Sequence, residues 1–172
     1  MNVRADLADQ MVALLPRLRR FAASLTRRPQ EVDDLVQSTV ERALSRVDQW
    51  RPDTRLDSWM FRILQNLWID QMRAAKPHAD LSAAESLPGV DGRVQTEAHL
   101  ALGETRQAVA ALPEEQRAVV MLVLVEGFAY REAADILDIP IGTVMSRLSR
   151  ARQALEARLA EPAKGAVGHD HA

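Results

Sequence analysis

The chain contains no cysteine. That excludes a disulfide framework, a thiol nucleophile and a thiolate metal site. No apolar run approaches the roughly 18 residues a membrane span needs, and the first residues lack the apolar core of a secretion signal. A cytoplasmic location without membrane insertion is therefore expected. No glycine loop suited to cradling phosphate occurs, and His78, His99, His169 and His171 have no partner geometry. An enzyme is the easiest class to set aside: no catalytic residue, metal or cofactor is expected. Charge of one sign is missing too. Lys and Arg number 22 against 24 Asp and Glu, for a net charge of −2, which argues against indiscriminate binding to polyanions.

What is present is helical periodicity. The 172 residues are 47% hydrophobic and 27% charged, which suits one ordinary globular domain or two small ones. Leu7, Met11, Leu14, Leu18, Phe21 and Leu25 recur at helical spacing, with Pro16 inside the pattern as a kink or a helix start. A second helix is expected from Pro29, its first turn suited by Glu31, Asp33 and Asp34. A loop at Trp50-Arg-Pro-Asp-Thr-Arg55 precedes a third helix, whose wide apolar face includes Trp59, Met60, Ile63, Leu64, Leu67 and Trp68. Thr54 and Asp57 have capping-box spacing. From about 75 to 94 the pattern fails among Pro77, Pro88, Gly89 and Gly92. It resumes near Glu97, and an apolar helix opens at Pro113 and runs to about Glu126, with Gly127 as its stop. No segment alternates as a strand, and no internal repeat is present. The expected fold is all-α: two small helical domains, at 5–75 and 98–160, joined by a flexible linker at 76–97 and followed by a disordered tail at 161–172.

Residues 130–152 read as two short helices around a tight corner. The first spans Tyr130–Leu137, Asp138 tolerates a left-handed backbone, and Pro140 turns Ile139 away from the helical region. The second starts near Gly142 and carries Val144, Leu148, Ala151 and Leu155 as one apolar stripe, opposite Thr143, Ser146, Arg147 and Arg150. This is the layout of a helix-turn-helix whose second helix can enter a DNA major groove. Residues 141–160 also hold a local basic surface, with Arg147, Arg150, Arg152 and Arg158 against a single Glu156. An arginine can bind guanine through two hydrogen bonds, and Ser or Thr can take a base edge or a phosphate.

At these residues the chain resembles bacterial RNA polymerase sigma factors of the extracytoplasmic-function (ECF) type. The resemblance spans roughly 14 to 159. It is carried by Glu31-Val-Asp-Asp-Leu-Val-Gln-Ser-Thr-Val-Glu-Arg-Ala43, Trp50-Arg-Pro-Asp53, Ser58-Trp-Met-Phe-Arg-Ile-Leu-Gln-Asn66 with Ile69-Asp70, and Gly142-Thr-Val-Met-Ser-Arg-Leu-Ser-Arg-Ala-Arg152. It implies a sigma region 2-like domain that docks on core polymerase and opens the −10 element, and a region 4-like domain that reads the −35 element. It places the polymerase contact on Asp33, Asp34, Gln37 and Glu41, where the plain alternative is a solvated helix face. It places −10 recognition on Asn66, with Arg62 and Arg73 on the strand's phosphates and Trp59 as a stacking candidate. An ordinary amphipathic helix remains the alternative there, and core packing is the alternative for Trp59 and still more for Trp68. It places −35 recognition on Ser146, Arg147 and Arg150, with Thr143 on a phosphate and Arg152 serving either DNA or packing.

The expected partners are core RNA polymerase, promoter DNA and an anti-sigma factor. Two positions depart from the family pattern: Met145 stands where relatives often carry Lys or Arg, and Ala129 stands where a Ser or Thr cap is usual. Two rival readings stay open. One is a helix-turn-helix regulator of another family, although the first 75 residues show no strands. The other is a sigma-like interaction module that binds an anti-sigma factor without initiating transcription.

Overall fold

Helix α1 (Val3–Leu25) runs through Pro16 without interruption, where the sequence suggested a kink or a start. A proline removes one helical hydrogen bond, here to the carbonyl of Val12. Val12 and Pro16 both lie on the exposed side, where water can serve that carbonyl. The computed structural model describes residues 3–26, 28–75 and 97–160. All of the expected linker except Glu97, and the whole expected tail, lie outside the described residues.

Helix α2 (Pro29–Ser45) opens on its proline as expected. The corner before it is closed by Thr26, whose hydroxyl donates to the Glu31 carboxylate and accepts from the Arg28 N–H at 3.3 Å. A short 3-10 turn (Val47–Gln49) leads to the 50–55 loop and then α3 (Leu56–Ala75). The expected Thr54–Asp57 capping box does not form. Thr54 donates back to the Arg51 carbonyl at 2.8 Å, while Asp57 pairs with Arg17 at 3.0 Å and Arg55 at 2.7 Å. Charged donors hold a carboxylate more strongly than a neutral partner does. The three helices close over Leu18, Phe21, Leu35, Met60, Phe61 and Leu64, all fully buried. Each such side chain contributes about 1.5–3 kcal/mol through removal from water.

The second group comprises α4 (Glu97–Ala110), α5 (Glu114–Val120), α6 (Tyr130–Leu137) and α7 (Ile141–Ala160). The apolar helix expected to reach Glu126 stays α-helical only to Val120. Met121–Val125 widens to a π turn, with the Glu126 N–H bonded to the Met121 carbonyl at 2.9 Å. Four valines between 119 and 125 crowd an α-helical turn, which eases that change. Gly127, at φ 75°, then stops the helix as anticipated. α6 has the expected bounds, and Asp138 takes the left-handed corner at φ 52°, ψ 49°. Ala129 offers no capping oxygen. Glu132 instead accepts the Ala129 N–H at 2.8 Å, supplying one half of a reciprocal cap.

The two helical groups pack against each other, and their buried side chains form one continuous cluster. Phe61 touches Phe21 at 5.3 Å and Phe128 at 5.1 Å between ring centres, so the aromatic stack crosses from one group to the other. Arg17 lies over both Phe61 and Phe128, 5.5 Å from each ring centre. Its guanidinium donates to the Glu126 carboxylate at 2.8 Å and to Asp57 at 3.0 Å. Arg20 holds the other Glu126 oxygen at 2.8 Å, leaving that side chain 1% exposed. Arg55 reaches Glu132 at 2.8 Å, the Trp68 indole N–H donates to Glu114 at 2.6 Å, and Arg117 donates to the Ser24 carbonyl.

Candidate nucleic-acid interface

Helix α3 buries Met60, Ile63, Leu64, Leu67 and Trp68, so its opposite face turns outward by helical geometry. Arg62, Asn66 and Arg73 lie on that outer face and are exposed, with Ile69 half-buried between them. These three form one stripe, as their spacing requires. Trp59 is half-buried and packed against the core cluster. Trp68 is buried, and its one donor is spent on Glu114. Its role is structural packing across the two groups.

Asp33, Asp34, Gln37 and Glu41 are all exposed along one side of α2. They are not all unengaged: Asp33 pairs with Arg19 at 2.6 Å, and Gln37 donates to Glu41 at 2.9 Å. Both contacts are between exposed side chains, so they are worth little and yield readily to a competing partner.

Helix α7 buries Val144, Leu148 and Ala151. Arg150 and Arg152 are exposed, with no ion-pair partner among the described residues. Ser146 is exposed and donates to the Thr143 carbonyl at 3.1 Å, and Thr143 is half-buried. Arg147 differs from its neighbours: its side chain is only 21% exposed, and it pairs with Glu115 of α5 at 2.8 Å. Sequence reading does not single out Glu115, because no local pattern couples two residues 32 positions apart. Met145 is 53% exposed and sits one turn after the exposed Ile141, giving the start of the helix an apolar edge. No hydrogen bond or ion pair among the described residues joins the α3 stripe to the α7 set.

Electrostatics concentrate where the groups meet. Burial pushes the Asp57 carboxyl up, but hydrogen bonds from Arg55, Arg17 and the Ser58 N–H outweigh it, so its pKa falls below the ordinary 3.8. Burial lowers the Arg17 pKa, and the bonds to Glu126 and Asp57 more than restore it. Among the described residues no group of His, Asp and Glu could hold a metal ion, and no helix is long and apolar enough to cross a membrane.

Comparison with known proteins completes the picture. Residues 11–77 match the Sigma-70 region 2 family, and residues 102–155 match the Sigma-70, region 4 family. The ECF RNA polymerase sigma factor EcfG of Rhodopseudomonas palustris is 40% identical over 162 residues, 92% of this chain and 88% of that protein. SigM of Mycobacterium tuberculosis, also an ECF sigma factor, is 34% identical over 138 residues, covering 80% of this chain and 69% of its own. Among solved structures, the sigma factor RpoE in complex with the anti-sigma factor NepR, from Bartonella quintana, superposes with a TM-score of 0.72. It is 31% identical, and the match covers 90% of this chain and 96% of that one. The helices, their order and these relatives agree, and the chain belongs to the ECF family of RNA polymerase sigma factors, non-catalytic proteins of transcription initiation.

Proposed function

We propose that residues 5–75 dock on core polymerase through Asp33, Asp34, Gln37 and Glu41 and trap a melted −10 base against Asn66. Arg62 and Arg73 hold the strand's phosphates and Trp59 flanks them. Residues 98–160 place α7 in the −35 major groove, where Arg147 and Arg150 read base edges, Ser146 takes a base edge or phosphate, and Thr143 and Arg152 hold the backbone. The observation that carries this reading is the pair of long helices, α3 and α7, that each bury one apolar face and turn arginines outward. Met145 supplies an apolar contact, suited to a thymine methyl, at a position where relatives often bring a cation.

Reading both elements requires the two groups to part. Elements some 20–25 base pairs apart are about 70–85 Å apart at 3.4 Å per pair. A closed body of about 140 residues is only about 40 Å across, from a radius of gyration near 14 Å. Free protein should therefore bind promoter DNA weakly, and holoenzyme should bind it strongly and with steep salt dependence. An anti-sigma factor is a further partner in this reading, supported by the complex in which the Bartonella relative was solved. The protein acts in the cytoplasm, where polymerase and promoters are.

Run-off transcription with reconstituted holoenzyme on a promoter library tests the assignment. Asn66→Ala should change −10 preference while leaving −35 preference intact, and an unchanged −10 profile would remove Asn66 from the pocket. A module that only binds an anti-sigma factor would give no transcript at all.

A further inference from the structure

Arg147 is held in a different way from the other arginines of α7. Its side chain lies mostly against the protein, and Glu115, in the first turn of α5, grips Nη2 at 2.8 Å while itself remaining 70% exposed. A guanidinium has five N–H donors in a rigid plane. The contact is an ion pair at one edge of that plane, and the guanidinium N–H groups remain for the paired bonds to guanine O6 and N7. A free arginine must lose several side-chain rotations when it binds a base, and one already fixed loses fewer. The exposed carboxylate beside the guanidinium also disfavours a phosphate in its place, because like charges oppose each other.

We infer that Glu115 is a positioning residue for −35 recognition: it orients the Arg147 guanidinium so that its free edge meets one guanine, and it discourages Arg147 from resting on the DNA backbone. This rests on the assignment of Arg147 to base reading given above.

The test uses holoenzyme and −35 duplexes randomised one base pair at a time, with Glu115→Gln, Arg147→Ala and the double variant. Arg147→Ala should abolish preference at a single base pair. Glu115→Gln, which keeps size and removes charge, should reduce preference at that same pair about tenfold. Other positions should be unaffected, and binding to a duplex without a −35 element should hold steady or rise. In the Arg147→Ala background Glu115→Gln should add nothing, the mark of two residues acting through one contact. A merely structural role would instead weaken binding at every position alike. Full preference retained in Glu115→Gln, or an equal loss everywhere, overturns the inference while leaving Arg147 as the reader. No effect of Arg147→Ala at any −35 position overturns both.

Discussion

The interior of each helical group and the seam between the groups are built from different materials. Inside the first group the packing is aliphatic and aromatic, and among the described residues its buried polar side chains are Thr26, Thr39 and Gln65. At the seam, Arg17, Arg20, Arg55 and Arg117 meet Glu126, Asp57, Glu132 and a main-chain carbonyl around an aromatic stack. Apolar burial is directly favourable. Buried ion pairs largely return in attraction what they lose in hydration. The interiors are thus made to persist. The polar contacts of the seam fix one orientation at small net gain, beside the apolar burial that the aromatic stack supplies.

The sharpest way to break that contrast is to damage an interior. Leu64 is fully buried in the first group, and Leu64→Ala should cost about 2–5 kcal/mol through the cavity it leaves. Thermal unfolding followed by circular dichroism should show the loss, with no increase in the distance between groups before melting. Arg17→Ala attacks the seam instead. It removes three charge-assisted contacts and the cation above Phe61 and Phe128, at a cost of about 2 kcal/mol. Here a fluorophore pair, one on each group, should report separation while helical content stays constant. An unchanged distance would mean that the aromatic stack and the remaining polar contacts hold the halves without Arg17.

Acid should act next on the first group, at the edge of the seam. Asp57 has its folded pKa depressed, so its contribution is fully present above the ordinary value of 3.8 and is lost as pH falls through the lower folded value. Its partners Arg17, Arg55 and the Ser58 N–H all belong to the first group, so the melting temperature should fall as pH drops below about 4, and Asp57→Asn should flatten that response. The smallest effect is expected at Ala129, where Ser would add the missing half of the α6 cap. It should stabilise the second group by about 0.5–1 kcal/mol, read as a modest rise in melting temperature with the seam untouched.

Local chemistry made much of this molecule legible before any coordinates. Pro29, Gly127 and Asp138 each impose a backbone geometry on their own neighbourhood, and each sits where that geometry is used. The stripes on α3 and α7 followed from the spacing of apolar residues, which places Arg62, Asn66 and Arg150 outward automatically. The seam could not be found that way. Arg17 and Glu126 are 109 positions apart, and either alone reads as an ordinary surface charge. The same holds for Trp68 with Glu114, although a tryptophan in an apolar register already pointed to packing. Thr54 and Asp57 had the right spacing for a cap, but a distant arginine claimed the carboxylate. The π turn was hidden because a run of apolar residues specifies burial without specifying its hydrogen-bond register.

Glu114 and Glu115 are consecutive on α5, yet one clasps the far half of the protein and the other clasps the helix beside it. Neighbours on a helix diverge by about 100°, so a single step of the chain serves two directions. Pulling the halves apart must undo the first clasp and has no need to disturb the second. The arginine beside Glu115 would then travel to its target already aimed, its bearing unaffected by the rearrangement that delivers it.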